Sequence, residues 1–306
     1  MVPTLGRAQD AGRPVKLIVG FAPGGSADLV ARLIAPRLAE ALDSSVVVEN
    51  RAGASGTLAS AFVARSAPDG TTLLMGSQSP VIITPQTLRS STFHPLSELA
   101  AVNTVGLTTQ VIAVNPATGI RTLADLIAVA RDKGLSLASA GTGGMTHVAI
   151  EMLNRAAGGR VVHVPYKGSG PGINDTLAGH VQGVLADLAP LLPFIQERRL
   201  HAVAVTSEKR FEFLPDVPTA NETIPGLGAT SWAGVLAPIA TPAPIVARLN
   251  AALVRVVAQA QVQAQLRKAG FIPSTMASPQ LFQKFLAEDF LRWGSVIKEL
   301  NIVSDE

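Results

Sequence analysis

Gly24, Gly25 and Ser26 are the residues best placed to do chemistry. They follow the apolar run Lys16-Leu-Ile-Val-Gly-Phe and precede Leu29, Val30, Leu33, Ile34, Leu38 and Leu42 at helical spacing. The pattern predicts a strand, a sharp turn and a helix start. Two glycines let the backbone approach a ligand with no Cβ in the way. Ser26 is predicted as the helix N-cap, with further first-turn N–H groups left without intrahelical partners. Such a turn attracts a carboxylate or a phosphate. The same residues also suit a plain steric joint between strand and helix.

A second joint, Leu135-Ser-Leu-Ala-Ser-Ala-Gly-Thr-Gly-Gly-Met-Thr-His147, repeats the arrangement. Val148, Ala149, Met152, Leu153 and Ala156 form the buried stripe of its helix, and Gly158-Gly159 ends it. Two such starts are predicted to face one cleft between two lobes, a common place for a ligand. Other polar residues each admit two readings. Asp28 contacts ligand or serves as a first-turn acid matched to the helix dipole. Ser77 ends a predicted strand where α/β sheets present ligand groups, or it belongs to an ordinary turn. His147 contacts ligand or caps its helix at the solvent edge. Tyr166 reaches the cleft or caps a sheet edge. Asp187 receives an ammonium or hydroxyl group, or ties a loop by hydrogen bonds. Trp232 walls a pocket or packs a hinge.

Composition narrows the function classes. The chain has 306 residues, 47% hydrophobic and 15% charged, which suits a globular protein of two ordinary domains. Its net charge is +3, with Lys and Arg scattered and a single Tyr, so nucleic-acid binding is not expected. There is no cysteine, which removes disulfides and thiolate chemistry. No apolar run approaches the roughly 18 residues of a membrane span. Met1 to Arg13 is polar and reads as the start of a mature chain rather than a complete signal peptide. No G-x-S-x-G elbow, H-E-x-x-H, G-x-G-x-x-G or GxxxxGK[ST] loop occurs. No metal or cofactor is therefore called for. A two-lobed enzyme with dispersed catalytic residues and a cytoplasmic effector-binding module stand as alternatives.

The elements that must position these residues alternate. Strands are predicted at 15–20, 45–49, 72–76, 110–115, 136–140, 160–165, 182–186, 201–206 and 232–237. Helices are predicted at about 27–42, 56–66, 122–133, 146–157, 170–178, 190–197, 243–257, 260–269 and 278–300. The alternation predicts an α/β protein with largely parallel sheets and a helix-rich last third. Pro36 is expected to kink or shorten the first helix.

At this point the residues resemble a known family. Phe21-Ala-Pro-Gly-Gly-Ser-Ala-Asp28, Val46-Val-Val-Glu-Asn-Arg-Ala-Gly-Ala-Ser-Gly56 and Ala67-Pro-Asp-Gly-Thr-Thr-Leu-Leu-Met-Gly-Ser77 resemble blocks of the tripartite tricarboxylate transporter substrate-binding proteins, the Bug (Bordetella uptake gene) family. Val164-Pro-Tyr-Lys-Gly168, Ala202-Val-Ala-Val-Thr206, Leu214-Pro-Asp-Val-Pro-Thr219 and Trp232-Ala-Gly-Val-Leu-Ala-Pro238 follow in the family's order. The resemblance implies an α/β fold of the type II periplasmic-binding-protein kind, two lobes with a ligand cleft and a crossover hinge. Lobe 1 would comprise residues 1–106 and 228–306, lobe 2 residues 107–227, with crossings near 104–110 and 222–232. It further implies an exported, periplasmic, non-enzymatic receptor, monomeric, that closes on a small organic acid. Its partners would be two membrane subunits of a transporter, or a sensor kinase.

Residue reading and resemblance together give the candidate ligand set. The first loop contributes Ala22, Pro23, Gly24, Gly25, Ser26 and Asp28, and the third strand's end contributes Ser77 and Gln78. The second loop contributes Ala140, Thr142, Gly143, Thr146 and His147, and Tyr166, Asp187 and Trp232 complete it. Asp187 matches the family's pocket-side Asp. Met145 and Trp232, if at the mouth, argue for an acid with an apolar portion over citrate.

Overall fold

The computed structural model describes residues 13–305. The N-terminal reading of a mature start falls largely outside them. In chain order the elements are β1 (Val15–Val19), α1 (Ser26–Leu42), β2 (Val46–Asn50), α2 (Thr57–Ala64), β3 (Thr72–Ser77), α3 (Thr84–Thr87), α4 (Pro95–Glu98), β4 (Leu99–Val114), α5 (Leu123–Lys133), β5 (Leu135–Ser139), α6 (Met145–Ala156), β6 (Val161–Pro165), α7 (Ser169–Ala178), β7 (Gly183–Asp187), α8 (Leu188–Gln196), β8 (His201–Val205), β9 (Thr230–Pro238), α9 (Ala243–Val257), α10 (Ala260–Lys268), β10 (Ile272–Pro273) and α11 (Pro279–Leu300). The fold is two-lobed α/β.

The strands run in the order β2-β1-β3-β9-β4-β7-β5-β6, with β8 and β10 also paired to β4. The trio β2, β1 and β3 is parallel, as is β7, β5 and β6, while β9 and β4 run antiparallel to their neighbours. Parallel strands are covered on both faces, which explains their unbroken apolar runs. In β1, Leu17 and Val19 pack with Val30, Ile34 and Leu38 of α1. Ile18 faces the other way, toward Ala59 and Val63 of α2. Leu249, Leu253 and Val256 of α9 join the α1 side, so the C-terminal part of the chain returns to the N-terminal sheet.

The strand β4 joins the two halves. Over 99–109 it pairs with β9, and over 110–114 with β7 and β8. Only its second part is predicted from sequence. The first part contains Asn103 and Gly106 and shifts register against β9 at Ala101/Asn103 and Thr104/Gly106. Those bulges, and burial on both faces, erase the alternation that marks a strand. A second crossing runs from β8 to β9, where the Thr206 N–H donates to the Gln110 carbonyl (2.9 Å) and the Ala229 N–H to the Thr206 carbonyl (2.6 Å).

The shortening expected at Pro36 does not occur. Helix α1 continues through it to Leu42. Pro36 forfeits one backbone hydrogen bond, but Val30, Ile34 and Leu38 are fully buried on both sides of it. The helix ends instead at Asp43, in the left-handed region (φ 52°), with the Ser44 N–H donating to the Ala39 carbonyl.

Candidate functional site

Four helices begin at one place. Ser26 of α1, Thr146 of α6, Ser169 of α7 and Asp187, which immediately precedes α8, all line a cavity of about 40 Å³ between the two halves of the sheet. In none of the four helices does the N-cap residue's own side chain bond the first turn, although the Met145 N–H at the start of α6 donates to the Ser79 Oγ. Their first-turn N–H groups and dipoles are therefore directed at the cavity. Ser77, Gln78 and Ser79 follow β3 onto its wall, with Gln110 from the middle of β4 and Ser231 from β9. The space suits about three waters.

A second cavity of about 330 Å³ adjoins it, sharing Phe21 and Ala140. Thr142, Tyr166 and Lys167 line this outer space. The structure thus brings Gly25, Ser26, Ser77, Gln78, Ala140, Thr146 and Asp187 to the inner cavity, and Thr142 and Tyr166 to the outer one.

The remaining candidates do other work. Ser26 is not the cap of α1; Gly25 holds that position with φ −78°, and the Ser26 Oγ has no hydrogen-bond partner among the described residues. Asp28 Oδ2 accepts from the Gly24 N–H (3.0 Å), and Asp28 Oδ1 accepts from Arg32 (3.0 Å) and Asn50 (2.9 Å). Burial alone would raise this carboxyl, but Arg32, the Gly24 amide and Asn50 outweigh it and hold it below the usual range. Asp28 therefore fixes the turn 21–25. Ala22 and Pro23 lie in that turn, off the wall of both cavities, and Ala22 sits across from Gly168.

His147 Nδ1 accepts from the Gly143 N–H (3.0 Å), and its ring stacks on His163 at 4.1 Å. It holds the second loop in shape. Burial, then the nearby His147, depresses the His163 imidazole to about 4. His163 Nε2 lies 2.6 Å from the Ser139 Oγ. Gly143 has φ +71°, and a Cβ there would meet the Thr87 Oγ1 at 2.9 Å. Gly25, by contrast, has ordinary φ and an open Cβ direction.

Trp232 is 1% exposed and Met145 fully buried. Trp232 packs edge-on against Phe282 at 5.3 Å, and both residues belong to the core. The expectation of an apolar mouth built from them is corrected. Tyr166 lines the outer cavity, and its OH donates to Asp175 Oδ2 on α7 (2.6 Å). Burial, then Asp175, pushes that phenol up to about 12.

Asp187 is the inner cavity's one ionisable lining side chain. Its accessible surface opens onto that small space, and burial raises its carboxyl, with Ser26, Ser231 and Gln110 pulling it partly back. Sequence reasoning missed Gln110, Ser169 and Ser231. Gly168-Ser169 repeats the Gly-Ser helix start of the first loop and was the available signal. Gln110 and Ser231 give none, because each is a polar residue in a strand whose face only the fold defines.

Loop 141–145 is also tied across the cleft. The Ser55 Oγ donates to the Thr142 carbonyl (2.5 Å), the Thr87 Oγ1 to the Gly143 carbonyl (2.6 Å), and the Met145 N–H to the Ser79 Oγ (3.0 Å). Among the described residues no cluster of acidic and His side chains could hold a metal. No single helix there is long and apolar enough to cross a membrane.

Comparison with known proteins places the chain and its fold in one family. Residues 30–302 match the family described as "Tripartite tricarboxylate transporter family receptor". Protein BugT of Bordetella pertussis is 34% identical over 94% of this chain and 89% of its own. A structure of an R. palustris protein with adipate superposes with a TM-score of 0.89 at 31% identity, over 95% of this chain and 98% of that one. MatC from Rhodopseudomonas palustris with bound malate gives 0.88 at 30% identity, over 93% and 99%.

Proposed function

The chain belongs to the tripartite tricarboxylate transporter receptor family, and from that premise we propose that it is a periplasmic receptor that closes on a small organic carboxylate and hands it to the two membrane subunits of a transporter. The observation that carries the reading is the meeting of four helix starts at one cavity. A carboxylate placed there accepts backbone N–H groups and faces the positive ends of the dipoles. Relatives with the same fold hold adipate and malate. In this reading residues 13–106 with 228–305 form one lobe and 107–227 the other, hinged where β4 changes partners at Thr109/Gln110. The candidate site residues are those on the two cavity walls, with Gln110, Ser169 and Ser231 added to them. The chain does no covalent chemistry in this reading: the ligand leaves as it arrived.

A thermal-shift screen of mono-, di- and tricarboxylates, followed by calorimetry and recovery of the bound acid, tests this. A carboxylate bound at about 1 μM, worth roughly 8 kcal/mol, and recovered unchanged is the expected result. Absence of any carboxylate binder, or time-dependent conversion of the acid, overturns it.

A further inference from the structure

The inner cavity carries more hydrogen-bond acceptors than the protein satisfies. Gln78 is 1% exposed and Gln110 3% exposed, and the Oε1 of each has no hydrogen-bond partner among the described residues. Gln78 is held in this orientation, because its Nε2 donates to Asp289 Oδ2 (3.3 Å) on α11. Asp187 lies on the same wall. No Lys, Arg or His lines that cavity. The hydroxyls of Ser26, Ser77, Ser79, Ser169 and Ser231 line the same space, yet both amide oxygens stay without a donor. Buried acceptors left without donors are costly. The helix starts meanwhile supply the opposite need, donors for an anion.

We propose that Gln78, Gln110 and Asp187 form a subsite for a hydrogen-bond donor carried by the ligand, an ammonium or a hydroxyl, so that the receptor selects amino or hydroxy acids over the unsubstituted acid of the same skeleton. The inference rests on the carboxylate reading above. An ammonium satisfies the amide oxygens and pairs with the Asp187 carboxyl, whereas a hydroxyl satisfies one acceptor. An unsubstituted diacid brings no donor to these positions and leaves both amide oxygens unpartnered.

Calorimetry on the full chain at pH 7 with two matched series decides it: succinate, malate and aspartate, then glutarate, 2-hydroxyglutarate and glutamate. In at least one series a substituted acid binds at least tenfold tighter than its parent. Aspartate or glutamate leading identifies the ammonium, and malate or 2-hydroxyglutarate the hydroxyl. The variant Asp187→Asn reduces an ammonium preference at least tenfold while the parent diacid binds as well as before or better. Parent diacids within tenfold of both substituted acids in both series overturn the inference and leave the carboxylate reading standing. Failure of every acid to bind overturns both. The wild-type comparison needs no variant to fold.

Discussion

At the residue scale, chemistry was legible wherever a side chain's partners are local. Asp28 in the first turn and the glycines before it announce a built turn, and the structure shows Asp28 binding the Gly24 amide, Arg32 and Asn50. Residues whose partners come from far along the chain were not legible: Gln78 against Asp289, and His147 stacked on His163. The His pair sets an acid limit. With a folded value of about 4 against an ordinary imidazole near 6.5, His163 takes up its proton more readily in the unfolded chain. Its contribution is present above about pH 6.5 and is lost as pH falls toward 4. His163 is partly accessible to solvent, so the loss is on the order of 2 kcal/mol rather than the full linkage value. Thermal melts from pH 4 to 8 check this. His163→Gln should melt with a shallower dependence between pH 6.5 and 4 than wild type, and an unchanged slope would show the pair is not responsible.

At the scale of elements, the strand–helix alternation located nearly every strand and long helix, because burial on both faces leaves plain apolar runs and the helices keep a clear stripe. The exception was the first half of β4, where two bulges break the period. The turns after β1 separate fold from ligand contact. A Cβ on Gly20 would stand 2.7 Å from the Cα and carbonyl oxygen of Gly56, backbone that cannot yield as a side chain does. Gly20→Ala should therefore cost about 1–3 kcal/mol in denaturant unfolding. Gly25→Ala meets nothing closer than 3.8 Å and should unfold like wild type. Its methyl group would nonetheless point toward Ser169 at the far wall, 4.0 Å away. Loss of carboxylate affinity with unchanged stability is the expected signature of that variant, and full affinity would remove the first loop from the site.

At the scale of the molecule, the family blocks announced two lobes and a returning C-terminus, but not how firmly loop 141–145 is held across the cleft by Ser55, Ser79 and Thr87. Those bonds join residues far apart in sequence, and nothing in the local pattern encodes them. Each contributes about 0.5–1.5 kcal/mol. The pair Ser79→Ala and Thr87→Ala should therefore weaken ligand affinity by roughly 5–100-fold, by favouring an open form, and enlarge the radius of gyration measured without ligand. A compact variant with wild-type affinity would show that the ties do not govern closure. The small inner cavity has a further consequence, in time rather than energy. A four-carbon acid is bulkier than the few waters that fit between Phe21 and Asp187, so it enters only after the ties part. In stopped-flow mixing, the observed rate of loading should climb with ligand concentration and then level off at the opening rate of the empty receptor. Above that concentration, supplying more acid outside no longer fills the receptor any faster.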